Sequence, residues 1–279
     1  MTEDASTLKL PDVLPATPVE PPPEAGLVTN STIKAQLDHR SFRAYTDEPV
    51  GEDVVATLLE VARHGATSGF HQFVTIIRVQ DPKVREAVYQ SSGQPYVGGD
   101  RGELFVFVVD LSRNARVRRE AGESLTILGK STLFLVGVED TMISAQNVVV
   151  AAESLGLGTV LLGSIGADPE ALIEALNLPD YTFPLLGLLV GHPAQSPQLK
   201  PRLPREITTS VDTYPDFESE AYRDAWESYD QTIRTYYDLR EGGRRQDSFT
   251  LQSLTKPGAG KAEQTDLLAI LHKQGLCLY

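Results

Sequence analysis

The sequence predicts an α+β fold in which helices surround a small mixed sheet and a long C-terminal excursion follows. Three observations support this class. Short apolar runs that suit strands alternate with segments of helical periodicity between residue 30 and about residue 190. The last third of the chain has almost no strand pattern. Hydrophobic residues make up 41% of the 279 residues, which is enough to bury a sizeable core.

The first 27 residues differ in composition from the rest of the chain. They hold six of the 18 prolines and five acidic residues, with one lysine. Such a segment cannot propagate a helix and buries little apolar surface. We expect an extended or disordered arm that either has no role or packs on a partner subunit. The folded domain is expected at 28–279, with the excursion at about 205–279.

Helical and strand patterns follow one another through the first half of this domain. Asn30 or Ser31 can cap a short helix that runs through Asp38. Glu52 and Asp53 open a second helix, because acidic side chains are favoured in a first turn. The next predicted elements are a strand at 73–80, a helix at 81–91, a buried strand at 104–110 and a helical stretch, either continuous or interrupted, at 124–155.

The second half begins with a short strand at 159–163, after Gly156 and Gly158 end the preceding helix. Asp168 and Pro169 start another helix, since proline is tolerated in the first turn, and a strand follows at 183–190. Beyond it we expect helices at 218–239 and 264–274, separated by a polar, glycine-containing stretch at 241–262. This C-terminal excursion could wrap a second subunit.

The charge balance argues against two classes of partner. Thirty-eight acidic residues against 25 lysines and arginines give a net charge of −13. Nucleic-acid binding needs a basic face, and anionic membrane surfaces repel acidic proteins, so neither partner is expected. No apolar run approaches the roughly 18 residues of a membrane span, and the N-terminus lacks a signal-peptide pattern. The single cysteine, Cys277, fits a reducing cytoplasm.

Several kinds of catalytic site have no motif in this sequence. The five histidines lack metal-ligand spacing, so no metal is expected. The GxSxG and GxxxxGK[ST] motifs are absent, which argues against a serine-hydrolase elbow and a P-loop. The glycines between 156 and 166 do not match the dinucleotide fingerprint, because they flank the strand on the wrong side and have the wrong spacing.

Two basic clusters are candidate anion sites in this acidic chain. The segment HRSFR at 39–43 offers two guanidiniums and a hydroxyl that suit a phosphate or another planar anion. The loop KPRLPR at 200–205 holds its cations on a backbone stiffened by proline. Each has a simpler interpretation. The first cluster could do no more than complement a helix dipole, and the second could be a solvated basic loop.

A third candidate is the segment ATSGFHQ at 66–72, between a predicted helix and a predicted strand. Small and hydroxyl-bearing residues there allow backbone N–H groups to approach a ligand closely. The alternative is an ordinary turn.

Seven ordered segments together resemble the nitroreductase superfamily. They are HRSFRAYTDEPV at 39–50, TSGFHQ at 67–72, SGQPYV at 92–97, SAQNVVVAAESLGLGTVLLGSIG at 144–166, PLLGLLVGHPAQSPQLKPRLP at 184–204, YYDLREGGRRQDSF at 236–249 and LHKQGL at 271–276. The likeness covers roughly residues 30–279. It is greatest to the oxygen-insensitive NADPH nitroreductases and NADPH-dependent FMN reductases, of the nitroreductase A and flavin reductase P type.

The resemblance implies a homodimeric α+β sandwich. Its sheet is completed by C-terminal exchange, and two FMN sites lie at the dimer interface. The implied activity is ping-pong transfer from NADPH through FMN to nitroaromatics, quinones or free flavin, with no catalytic side chain because FMN carries the chemistry. The alternatives are a flavin-binding or sensing protein without useful turnover, and a same-fold enzyme with different acceptor chemistry.

The resemblance also assigns FMN contacts residue by residue. The assigned residues are His39, Arg40, Ser41, Arg43, Ser68, Gln94, Tyr96, Gly163, Ser164, Lys200 and Arg202. Ser68 lies on the loop that the neighbouring subunit contributes, and Gly163 and Ser164 match the backbone at the reactive face of the ring.

Two arginines in the excursion match positions associated with the 2′-phosphate of NADPH. They are Arg240 and Arg245, in a glycine-containing stretch whose alternative role is a solvated basic loop. Three positions depart from the family pattern. Ser164 replaces a frequent glycine, Leu161 replaces a frequent tyrosine, and His71 stands where an apolar residue is expected. These departures concern ring contacts and substrate preference.

Overall fold

The computed structural model describes residues 27–241, 248–258 and 260–279, without the side chains of 237–241. The predicted arm, apart from Leu27, lies outside the described residues. The chain divides into two compact units. The sheet unit comprises Val28–Gln195 with Lys256–Tyr279, and the helical unit contains Ser196–Thr255. Each unit is described by itself.

A four-stranded sheet forms the centre of the sheet unit. Its strands are β1 (Val74–Val79), β2 (Glu103–Asp110), β3 (Gly158–Leu162) and β4 (Thr182–Gly191). They lie in the order β1-β2-β4-β3, and β2 and β4 are the inner strands. The register places Ile76 opposite Phe107, and Phe105 opposite Leu188. The α+β class and the small sheet are thus confirmed.

The predicted mixed pairing differs from what the described strands show. All three strand pairs are antiparallel, and the parallel contact in this part of the chain is an isolated bridge between Ser41 and Thr159. Apolar runs carry no information on strand direction. Connections that contain a helix usually join parallel strands, so no sequence pattern predicts an antiparallel β1-β2 pair.

The predicted helices form in the order that the sequence indicates, and three further helices occur among them. They are α1 (Ser31–Leu37), α2 (Glu52–Arg63), α3 (Pro82–Ser92), α4 (Ser112–Glu120), α5 (Ser131–Ser154), α6 (Pro169–Ala175), α7 (Arg205–Thr208), α8 (Glu220–Glu241), α9 (Phe249–Thr255) and α10 (Leu267–Lys273). The predicted caps form: Asn30 Oδ1 accepts from the N–H of Ile33 at 2.9 Å, and Asp168 Oδ1 accepts from that of Ala171 at 3.1 Å.

Sequence patterns missed three helices and merged two elements. The α4 sequence SRNARVRRE has no apolar periodicity, and only Ala115 of it is buried. Helix α9 lies inside the stretch expected to be a polar linker, and α7 is a single turn. The helical stretch predicted at 124–155 is a 3₁₀ turn (Thr126–Gly129) followed by α5.

Strand β2 is buried on both faces, as its continuous apolar run predicts. Phe105 and Phe107 face a cluster that includes Leu58 of α2 and Val148 of α5. The alternate residues of β2 face a second cluster, with Val88 of α3 and Leu172 of α6. The sheet therefore lies between two helical layers, and α5 crosses one of them.

Helix α5 is long and apolar enough, by length and composition, to cross a membrane. The expectation that no apolar run reaches that length still holds, because the acidic residues Glu139 and Asp140 interrupt the apolar sequence of α5. Core helices of soluble proteins pass the same test. Here Val148, Val149 and Ala152 pack in the core beside the sheet, so the observation is weak evidence for a membrane span.

The helical unit has its own small cluster. Tyr229 and Ile233 of α8 are buried and pack with Leu203 and Phe249. The indole N–H of Trp226 donates to Thr250 Oγ1 at 2.7 Å, which fixes the start of α9 against α8. This unit is strand-poor over its described residues, as the sequence predicts.

Candidate functional site

The segment 39–43 is held against the edge of the sheet. The backbone N–H of Phe42 donates to the carbonyl oxygen of Thr159 at 2.8 Å, and Ser41 forms the parallel bridge to the same residue. Beneath the segment, the buried hydroxyl of Tyr45 donates to the carbonyls of Phe42, at 2.8 Å, and Leu189, at 3.3 Å. The backbone that carries the predicted anion-binding side chains is therefore held by Thr159 on one side and by the Tyr45 hydroxyl on the other.

A glycine makes this close approach possible. The Phe42 ring packs directly on Gly158, the first residue of β3. A Cβ built on Gly158 would lie 2.6 Å from Phe42 Cγ, closer than real Cβ atoms approach other atoms. Because the contact atom is near the Phe42 backbone, any larger residue at 158 must displace the segment.

His39 is bound by an acid that the sequence interpretation did not select. Glu153 Oε1 lies 2.7 Å from His39 Nδ1 and accepts a hydrogen bond from Thr159 Oγ1, also at 2.7 Å. The signal that could have identified Glu153 is its position. An acidic residue in the last turn of a helix opposes the helix dipole, and such local conflicts often mark functional sites.

Arg40 and Arg43 keep their charges free of acidic partners. Arg40 NH1 donates to the carbonyl of Asp38 at 3.0 Å, and the Arg43 guanidinium carbon lies 5.9 Å from the centroid of the Tyr96 ring. Neither guanidinium forms an ion pair with an acid in the part of the chain that the structure describes. Two uncompensated cations on a fixed backbone favour an anionic ligand.

Tyr96 lies on a 3₁₀ turn, Pro95–Val97, that follows α3. Gln94 precedes the turn, and both side chains are half-buried. The fold thus brings Tyr96 to Arg43 although 52 residues separate them in sequence. Their cation–π contact brings two of the predicted FMN segments together.

Gly163 and Ser164 directly follow β3, at the opposite end from Thr159. Gly163 is exposed, and a Cβ built on it would meet no atom within 4 Å. Ser164 is half-buried in the same turn. The backbone at 163 therefore borders open space, which is the arrangement that a flat ligand passing over it requires.

The loop at 67–73 is organised around a second carboxylate of α5. Asp140 is only 2% exposed. Its Oδ2 accepts from Thr67 Oγ1 at 2.7 Å and from the N–H of Phe73 at 3.0 Å, and its Oδ1 accepts from the N–H of Ser68 at 3.1 Å. The signal for this anchor in the sequence is an acidic residue within an otherwise apolar helical segment, and the sequence interpretation did not select it.

The loop backbone adopts left-handed conformations at three residues. The φ angles are +56° at Gly69, +57° at Phe70 and +53° at Gln72. Phe70 is 80% exposed, whereas the His71 ring stacks on buried Phe73 with centroids 4.8 Å apart. His71, which departs from the family pattern, thus packs within the loop. The loop borders a cavity of about 740 Å³ that α4 and α5 also line.

Ser68 lies apart from the other predicted FMN residues of the sheet unit. Its anchor Asp140 and the His39 anchor Glu153 are 13 residues apart on α5. At 1.5 Å per residue this is about 20 Å along the helix axis. Among the described residues, Ser68 forms no hydrogen bond with segment 39–43.

The remaining predicted residues lie in the helical unit. Lys200 and Arg202 are exposed, and Arg202 NH1 donates to the carbonyl of Lys200 at 3.0 Å. The Arg240 backbone belongs to the last turn of α8, but its side chain and the whole of Arg245 lie outside the described residues. Among the residues that are described, no group of three His, Cys, Asp or Glu side chains could hold a metal ion.

Two family profiles together match nearly the whole described chain. The Nitroreductase family profile matches residues 37–192, and the profile of the Nitroreductase family, C-terminal domain, matches residues 200–279. The chain belongs to the nitroreductase family. The resemblance inferred from seven sequence segments is therefore confirmed.

Relatives within the nitroreductase family share most of their length with this chain. An FMN reductase (NADPH) of Bacillus subtilis is 38% identical over 227 residues, which cover 81% of this chain and 90% of the relative. The solved NfrA1 nitroreductase of B. subtilis is 35% identical with a TM-score of 0.82, covering 89% and 100% of the two chains. An NADPH:FMN oxidoreductase of Vibrio harveyi, solved with NAD⁺, is 31% identical with a TM-score of 0.78, covering 90% and 100%.

Proposed function

We propose that this protein is an FMN-dependent NADPH oxidoreductase that reduces nitroaromatics, quinones or free flavin. Family membership and relatives named FMN reductase (NADPH) and NADPH:FMN oxidoreductase support the activity. The structural observation that carries the proposal is segment 39–43. Its backbone is hydrogen-bonded to β3, the strand that leads to the open backbone at Gly163, and its two guanidiniums have no acidic partner among the described residues.

The residues present suit FMN chemically. FMN combines a phosphate dianion with a flat ring, so its site needs cations, hydrogen-bond donors and a surface without side chains. Arg40 and Arg43 supply the cations, and Ser41 supplies a hydroxyl on the backbone pinned to Thr159. Gly163 supplies the bare surface, because a Cβ there would project into space that no described atom occupies.

The proposal assigns FMN contacts to predicted residues of the sheet unit. His39, Arg40, Ser41 and Arg43 bind the phosphate, the ribityl chain and the ring edge. Gln94 and Tyr96 lie near the ring, and the backbone of Gly163 and Ser164 passes its reactive face. Lys200, Arg202 and, for the 2′-phosphate of NADPH, Arg240 and Arg245 stay predictions from the resemblance.

The protein's share of the chemistry is binding and electrostatics. FMN, when bound, supplies the redox step by taking hydride from NADPH and passing electrons to the acceptor. The guanidiniums of Arg40 and Arg43 stabilise negative charge that is otherwise costly to remove from water. No side chain of this site is required to act as a general acid or base.

The proposed working form is a cytoplasmic homodimer. Helix α5 exposes Leu135, Met142 and Ile143 at helical spacing, and the neighbouring loop exposes Phe70. A second copy of the chain would bury these apolar side chains. The separation of about 20 Å between the anchors of Ser68 and His39 along α5 suits a Ser68 that serves the partner's site. The single cysteine supports a reducing compartment.

The proposal is tested by FMN uptake. Purified protein should be yellow and dimeric, with FMN released by denaturation. Gly163→Ala should leave the stability of the apoprotein unchanged, because the added methyl meets nothing within 4 Å, yet weaken FMN binding in a fluorescence titration. Gly166→Ala, whose added Cβ would lie 3.8 Å from Ala262, is the matched control. A colourless protein that takes up no added FMN would contradict the proposal.

A further inference from the structure

Glu153 is a buried acid in an unfavourable position. It lies in the last turn of α5, where the helix dipole disfavours negative charge, and its side chain is only 9% exposed. A carboxylate removed from water needs hydrogen-bond donors to offset the loss of hydration. The identity of its donors therefore indicates what the residue is for.

Both partners of Glu153 belong to the site described above. His39 Nδ1 and Thr159 Oγ1 each lie 2.7 Å from the same oxygen, Oε1. An ionised carboxylate only accepts hydrogen bonds, so the proton of the neutral imidazole must sit on Nδ1. The hydrogen-bond network thus assigns the tautomer of His39.

The other ring nitrogen of His39 remains available. Nε2 makes no hydrogen bond to the residues that the structure describes, and the side chain is 30% exposed. With Nδ1–H committed to Glu153, Nε2 accepts from a ligand when the ring is neutral and donates when the ring is protonated. In either state it is the nitrogen left for a ligand.

We propose that Glu153 is a positioning residue for the FMN site, fixing His39 in the Nδ1–H tautomer and committing Nε2 to FMN. The inference rests on the proposed function, in which His39 contacts FMN. Thr159 completes the device, because its hydroxyl holds Glu153 while its carbonyl holds Phe42. Buried Thr159 thereby fixes the position of the Glu153 carboxylate relative to segment 39–43.

The tautomer is tested on the apoprotein by long-range ¹H–¹⁵N NMR in alkaline buffer, where imidazoles are neutral. His39→Gln identifies the His39 signals. The wild type should carry the proton on Nδ1. Glu153→Gln should give a mixture of tautomers, because an amide can either accept from Nδ1–H or donate to bare Nδ1. The exposed Glu174→Gln should match wild type. A wild-type Nε2–H tautomer, or an unchanged tautomer in Glu153→Gln, would overturn the proposal.

The second test is a double-mutant cycle read as FMN affinity. Glu153→Gln should weaken FMN binding by about 10-fold, since hydrogen bonds to charged groups have effects of this size. In the His39→Gln background the same change should cost nothing further. Equal losses in both backgrounds would show that Glu153 acts through general structure, and would overturn its positioning role.

A milder variant covers the case in which Glu153→Gln folds poorly. Thr159→Val keeps the shape of the buried side chain and removes one donor from Glu153, so a smaller loss of FMN affinity should depend equally on His39. If the wild-type apoprotein takes up no FMN, the proposed function fails. The NMR comparison still decides whether Glu153 fixes the His39 tautomer, so the two failures are distinguishable.

Discussion

Segment 39–43 and loop 67–73 are both held by a buried carboxylate of α5, yet the two carboxylates hold different things. Glu153 binds side chains, those of His39 and Thr159, while the backbone of its segment is fixed separately by Thr159 and Tyr45. Asp140 binds the backbone itself, through the N–H groups of Ser68 and Phe73. Removing the Glu153 carboxylate should misorient the His39 ring, whereas removing the Asp140 carboxylate should release loop 67–73.

Backbone conformation explains why the second loop depends more on its anchor. Phe70 and Gln72 have left-handed φ angles, which cost side-chain-bearing residues on the order of 1 kcal/mol each. No residue from 39 to 43 has a positive φ. A strained loop keeps its shape only where surrounding contacts impose it, and Asp140 supplies three of those contacts. The two regions therefore predict a ranking of mutational effects.

Asp140→Asn should have the largest effect. The amide must turn its NH₂ group toward one of the donors that now face a carboxylate oxygen, so a buried N–H or O–H loses its acceptor. We expect a loss of about 3 kcal/mol in the free energy of unfolding. Urea denaturation measures the loss, and limited proteolysis should show new cleavage within 67–73.

Glu139→Gln is the matched control for this change, because Glu139 is the exposed neighbour of Asp140 on the same helix. It should unfold like the wild type. A loss below about 1 kcal/mol for Asp140→Asn, with no new cleavage in the loop, would mean that the loop holds its shape without the carboxylate.

Gly158→Ala should have an intermediate effect, in the other region. The new methyl overlaps the Phe42 ring at 2.6 Å, so segment 39–43 must shift. Overpacking of this kind typically costs about 2 kcal/mol, and FMN affinity should fall as well because the binding residues move with the backbone. Denaturation and FMN titration measure the two effects. Gly166→Ala, with 3.8 Å to its nearest neighbour, should change neither. Wild-type FMN affinity in Gly158→Ala would show that the segment does not bind FMN.

Tyr45→Phe should have the smallest effect, about 1 kcal/mol, because two carbonyls lose one hydroxyl donor. Burial raises the pKa of Tyr45 far above its ordinary value of 10.0. A raised pKa means that the contribution of Tyr45 to stability is complete below pH 10.0 and is lost as the pH rises further. The stability difference between the variants should therefore shrink in strongly alkaline buffer. A difference that is constant with pH would contradict the buried, protonated hydroxyl.

Sequence reasoning predicted the elements whose apolar pattern is strong. The apolar run at 104–110 predicted β2. The cap at Asn30 predicted the start of α1, and the proline at 169 predicted the start of α6. It could not give the antiparallel pairing, since apolar runs do not encode direction. It also missed α4, whose arginine-rich sequence has almost no buried face. A polar surface helix forms without the periodic signal that sequence analysis uses.

The candidate site divides in the same way. HRSFR was identified because cations and a hydroxyl cluster within five residues of sequence. The residues that hold the segment were not identified, because Glu153 and Thr159 reach it through tertiary contacts and the buried hydroxyl of Tyr45 has no motif of its own. Asp140 and Glu153 each violate a local rule, as an acid within an apolar helix or at a helix C-terminus. Such violations are the signal by which sequence alone could have selected them.

Anaerobic addition of NADPH to the FMN-loaded protein tests the central claim most directly. The flavin absorbance band should bleach within the mixing time of a stopped-flow or manual experiment, and a nitroaromatic or quinone should restore it. NADH should bleach the band more slowly if Arg240 and Arg245 bind the 2′-phosphate, since a charge-assisted contact contributes roughly 10- to 100-fold. A protein that binds FMN but keeps its oxidised spectrum in excess NADPH would contradict the proposed oxidoreductase.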